Sequence, residues 1–174
     1  MYREIVAVGK SLYRLTLADP WLRLVWIVGR LSGRMTTMIS DTYGSLCSRV
    51  GSLDSDLTFG ILMAAVAIEA YLDARRRGLD IGAVRYEDLV ARPLDTCRAV
   101  LEFCRLPASL AQLAVRALDV DSQRDSFIAK SKIGRFEAPE LSPRTTAQLN
   151  ELLKQYGVPL IGEPDILEGT LVCC

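Results

Sequence analysis

Between Ile81 and Pro107 the hydrophobic pattern of this chain changes period, and that change limits the folds open to it more than any other feature. Ile81, Ala83 and Val84 read as a short buried strand that runs into Arg85, Tyr86, Glu87 and Asp88. Pro93 then stands where a first helical turn tolerates a residue without an N–H. Cys97, Val100, Leu101 and Cys104 follow at i, i+3, i+4 and i+7 as far as Pro107, the spacing of one helical face. A strand that hands over to a helix in this way puts an aromatic ring and three charges at a sheet's carboxyl edge, where open α/β folds bind ligands.

The other periodic stretches all read as helix. Ile5, Val8, Leu12 and Leu15 share a face that Asp19-Pro20 interrupts. Trp21 to Met38 carries Leu24, Trp26, Ile27, Val28 and Leu31, with Arg23, Arg30 and Arg34 on or near one side. Thr42 to Asp56 reads as a loop, and Asp54 or Ser55 can cap the helix Leu57 to Arg77, which Gly78 ends. Ala108 to Leu118 turns Leu110, Leu113, Ala114 and Ala117 inward. Ser142-Pro143 caps a last helix with Leu149, Leu152, Leu153 and Tyr156 inward, closed by Gly157 and Pro159. About six helices and one strand result, and one strand cannot make a sheet. The helices either bundle with one another or form the outer layer of an α/β domain whose sheet lies elsewhere.

Composition narrows the chemistry. The chain of 174 residues has 21 basic and 21 acidic residues, so nothing in its net charge points to nucleic acid or to an anionic membrane, while local basic clusters stay open. It has no histidine, which removes the commonest general base and any histidine-based metal site or triad. Five cysteines without zinc-like spacing read as reduced thiols, which suits a cytoplasmic setting. The longest nearly uncharged run, Leu57 to Ile68, falls short of the roughly 20 residues a bilayer needs, so no transmembrane segment is expected.

The run RYEDLVARPLDTCRAVLEFCRLP resembles a segment of the sulfotransferases that use 3'-phosphoadenosine 5'-phosphosulfate (PAPS). The resemblance implies an α/β, P-loop NTPase-like sulfotransferase fold, here truncated, with residues 1–161 as a partial domain and 162–174 as a tail. It makes Tyr86 the adenine-side contact. Arg3 and Ser11, eight residues apart, match the family's pair that holds the 3'-phosphate. A guanidinium pairs bidentately with phosphate oxygens, and a hydroxyl near a helix start adds a donor. Lys130, Ser131, Lys132 and Gly134 stand in the family's late phosphate loop, although Ala129 and Ser131 replace its leading arginine and first glycine.

By the same resemblance the cofactor is PAPS or adenosine 3',5'-bisphosphate, and the acceptor is a hydroxyl or an amine. The phosphosulfate loop and the catalytic base are expected upstream of Met1, which makes catalysis by this chain alone doubtful. A missing upstream anchor would move the protein to the Golgi lumen. The alternative is a non-catalytic helical interaction protein, or a truncated paralogue. Cys173 and Cys174 are candidate lipid acceptors.

Overall fold

The computed structural model describes residues 1–31, 55–118, 134–164 and 166–171. Seven α-helices are found among them. They are α1 (Ile5–Ala18), α2 (Pro20–Leu31), α3 (Ser55–Arg76), α4 (Tyr86–Ala91), α5 (Pro93–Phe103), α6 (Ala111–Leu118) and α7 (Pro143–Gln155), with a 3-10 turn at Ala108–Leu110 before α6.

The expected α/β, P-loop-like architecture is overturned. Among the described residues 65% are helical and 3% are in strand pairings, without a sheet. Ile81 to Val84 does run extended, but its neighbourhood pairs only once on each side, at Tyr2 with Arg85 and at Ala83 with Thr170. Tyr2 N–H donates to the Val84 carbonyl at 2.8 Å and Tyr86 N–H returns a bond to the Tyr2 carbonyl at 2.8 Å. On the other side Ala83 N–H donates to Gly169 and Leu171 N–H to Ala83, at 3.0 and 2.8 Å. Two bridges make a seam of three segments, too narrow to carry layers of helices. The helices satisfy their backbone groups internally and pack on one another.

The main pair is α1 across α3. Gly9 and Gly60 meet at the crossing, where a Cβ on Gly60 would stand 3.0 Å from the Gly9 carbonyl oxygen. Both positions need the missing side chain, because a Cβ on Gly9 would also run into Ile61, one of the most deeply buried residues. Around this contact Leu57, Ile61, Leu62, Ala65 and Ile68 of α3 join Ile5 of α1, Leu149, Leu152 and Leu153 of α7, and Val158 and Leu167. Leu57–Arg76 is long and apolar enough to cross a membrane, and the same helix supplies five of these eleven core residues.

Caps fix the helix ends. The Glu4 carboxylate accepts from Val6 N–H and Ala7 N–H at the start of α1, at 3.2 and 2.8 Å. Ser142 Oγ accepts from Thr145 N–H at 3.1 Å to open α7. At the far end of α3, Leu79 N–H reaches back to the Ala74 carbonyl and Gly78 N–H to Arg75, with Gly78 at φ +83°, a left-handed glycine cap.

Helices α4 to α6 pack in succession, and the buried Thr96 hydroxyl ties α5 to α4 by donating to the Asp88 carbonyl at 3.0 Å. Two sequence expectations fail here. Cys97 is buried, but Cys104 is exposed, because α5 ends at Phe103 and leaves it at the cap. Leu113 is 65% exposed and Leu110 41%, because no described element covers that side of α6.

Candidate functional site

Arg3 lies between two fixed points, the Tyr2 bridge and the Glu4 cap, so its backbone is held at both ends. Tyr86 is the first residue of α4, and its own N–H is bonded to Tyr2. The pairing of residues 2 and 85 therefore brings these two side chains together. The Arg3 guanidinium carbon lies 4.9 Å from the centroid of the Tyr86 ring, within cation–π range.

Glu87 stands between two arginines. Its carboxylate is 3.7 Å from Arg3 Nε through one oxygen and 3.6 Å from Arg85 Nε through the other. Both distances exceed hydrogen-bonding length, and the Arg3 and Glu87 side chains are 45% and 37% exposed. A pair of this kind contributes about 0–1 kcal/mol, so an incoming anion can take Arg3 away from Glu87 at little cost.

Beside this cluster opens a cleft of about 510 Å³, lined by Arg3, Tyr86, Val8, Ala64, Ala67 and Tyr71 among others. That volume is within the range of small-molecule sites. The walls from α1 and α3 are mostly apolar, three tyrosines (Tyr2, Tyr71 and Tyr86) supply rings, and Arg3 supplies the cation. Burial raises the Tyr71 hydroxyl above its ordinary value, with Arg75 opposing, so Tyr71 stays a donor, to the Glu168 carbonyl at 2.8 Å. Tyr2 closes the base of the seam, sharing a hydrogen bond of 2.9 Å with the Thr170 hydroxyl.

The residues expected to bind cofactor divide into three groups. Arg3 and Tyr86 share the cleft. Ser11 is half-buried on α1, six residues beyond its start and about 9 Å along the axis; α1 contributes Val8 to the wall instead. Gly134 sits in an exposed turn where the Arg135 guanidinium lies 4.9 Å from the Phe136 ring, and it does not line the cleft. Lys130, Ser131 and Lys132 lie outside the described residues, as do Cys173 and Cys174.

Sequence reasoning missed Tyr71, Ala64 and Ala67. The small residues at 64 and 67 were the available signal, since a helix that must leave room beside it carries alanine where a core helix carries leucine. Among the described residues no group of three or more cysteine, aspartate or glutamate side chains is placed to hold a metal ion. No family model, curated protein or solved structure matches this chain.

Proposed function

We propose that this chain is a sulfotransferase-like protein that binds PAPS, or its product adenosine 3',5'-bisphosphate, at the Arg3–Tyr86 cleft. Transfer of the sulfuryl group to a hydroxyl or amine acceptor would further need a phosphosulfate loop and a general base. The observation that carries the reading is the convergence of Arg3 and Tyr86 at the mouth of an aromatic, apolar cleft. An adenine ring stacks on a tyrosine, and a phosphate pairs with a guanidinium held loosely enough to be released.

Calorimetric titration with adenosine 3',5'-bisphosphate tests it, with adenosine as the uncharged control. Binding is expected to weaken about tenfold or more in Arg3→Ala, from the loss of a charge-assisted bond. Tyr86→Ala should weaken it by a comparable factor through lost stacking. A nucleotide affinity that neither substitution changes, or no binding at millimolar ligand, would refute the assignment.

The exposed apolar residues Trp21, Leu24 and Leu113 favour a second reading, a non-catalytic interaction protein. Undetectable nucleotide binding would leave that reading in place.

A further inference from the structure

Helix α2 has an unusual surface for its length. Trp21 is 71% exposed, Leu24 48% and Ile27 39%, while Leu22 is half-buried. At 100° per residue, Leu22 marks the side turned to the protein, and Trp21, Leu24 and Ile27 fall on one arc away from it. Arg23 is exposed at the edge of the same arc, and Arg30 follows seven residues later in the sequence. From Pro20 to Ser40 there are three arginines and no acidic residue. The first 40 residues carry six arginine or lysine residues against two acids, although the whole chain is neutral.

We propose that α2 is a membrane-surface helix, lying flat at an anionic lipid interface with Trp21, Leu24 and Ile27 inserted and arginines at the headgroups. Three observations select this occupant. Beyond Asp19, which caps the helix by accepting from Trp21 N–H and Leu22 N–H, the charge through Ser40 is of one sign, which complements an anionic leaflet. An exposed tryptophan beside aliphatic residues, with arginine at the edge, suits the boundary of acyl chains and headgroups. Arg23, Arg30 and Arg34 interrupt the apolar sequence before it reaches the roughly 20 residues a bilayer span needs, which fits a helix in the interface and not one that crosses it. This surface is separate from the Arg3–Tyr86 cleft and does not depend on nucleotide binding.

Both tryptophans of the chain, Trp21 and Trp26, are in α2, so intrinsic tryptophan fluorescence reports on this helix alone. The full chain is titrated with vesicles of phosphatidylcholine, with and without phosphatidylserine, and binding is checked by flotation. A blue shift and vesicle-bound protein are expected with phosphatidylserine, weakening as salt is raised. Leu24→Glu should reduce partitioning by about tenfold or more, and Arg23→Gln by about fivefold. Both side chains are exposed, and far-UV circular dichroism confirms that the variants fold. Leu113→Glu, on the separate apolar face of α6, should bind like the parent.

Four results overturn the proposal. One is a Trp21 emission maximum, read in Trp26→Phe, that is already blue-shifted without lipid and unmoved by vesicles, which means that the face is covered by the chain itself or by a second copy. The second is equal binding with and without phosphatidylserine. The third is parental binding by Leu24→Glu. The fourth is a shift produced by polyglutamate but not by vesicles, which assigns the surface to an acidic protein.

Discussion

Three helices end in the same hydrogen-bond pattern with different residues at the left-handed position, and exchanging those residues should change stability in opposite directions. After α3 the position is Gly78 and after α7 it is Gly157, at φ +83° and +65°. After α5 it is Arg105 at φ +58°, with Leu106 N–H returning to the Leu101 carbonyl at 2.7 Å and Arg105 N–H to Glu102 at 2.9 Å. A left-handed conformation costs a residue with a Cβ about 1–2 kcal/mol. Glycine escapes that cost but loses about 0.5–1 kcal/mol more conformational freedom on folding. A Cβ on Gly157 would meet nothing within 4 Å, so Gly157→Ala carries the backbone cost alone and should destabilise by about 0.5–1 kcal/mol. Arg105→Gly should stabilise by about 0.5 kcal/mol, since the released strain also loses a cation beside a helix C-terminus. For a chain of this size these values correspond to about 1–4 °C in Tm. Urea midpoints of the two variants at unchanged slope give the answer. Shifts of the same sign, or a clear loss of stability in Arg105→Gly, would show that the end of α5 is not strained.

Three further expectations can be checked in the same way. Asn150 pins the segment after α7 by donating to the Ile161 carbonyl at 3.2 Å and accepting from Ile161 N–H at 2.8 Å. Asn150→Ala should therefore cost about 1–3 kcal/mol, with Asn150→Asp, which keeps the acceptor, costing less. Gly60→Ala places a Cβ 3.0 Å from the Gly9 carbonyl oxygen and 3.2 Å from its Cα. Overpacking of about 1–3 kcal/mol there outweighs a helix-propensity gain of up to about 1 kcal/mol, so a lower urea midpoint is expected. Burial raises the Cys97 thiol and the Tyr71 and Tyr156 hydroxyls above their ordinary values. The unfolded chain thus ionises these groups first as pH rises. The Cys97 contribution is complete below the ordinary thiol value of 9.0 and the tyrosine contributions below 10.0, and each is lost above that value, so the urea midpoint should begin to fall as pH passes about 9.

Local signals were legible in the sequence because they act over a few residues. Asp19-Pro20 separates α1 from α2, Pro93 opens α5, Ser142-Pro143 opens α7, and Gly78 and Gly157 end helices. The inward face of α7 was equally readable: Leu149, Leu152 and Leu153 are all at most 5% exposed. The same periodicity misled for α6, where Leu113 is 65% exposed. The expected sheet failed for a different reason. An extended segment at Ile81 to Val84 has a sequence signature, but how many partners it finds depends on residues about 80 positions away on either side. Arg3 and Tyr86 were each chosen from the sequence, and the seam brings them to one cleft. Ser11 shows the limit of spacing as a guide, because eight residues of separation do not fix which way a helix turns its hydroxyl.

The seam also determines when the cleft forms. Tyr2 with Arg85 and Ala83 with Thr170 each close a loop of more than eighty residues, whereas the turns within α3 or α7 close loops of four. Closing a long loop costs entropy that only a completed contact repays. The helices and the α1–α3 crossing can therefore assemble before the chain's two ends reach its middle. Arg3 and Tyr86 acquire their relation only at that last step, and the few hydrogen bonds of the seam make it the first part to open. A molecule frayed at either end is therefore expected to keep most of its helices and to lose the Arg3–Tyr86 cleft.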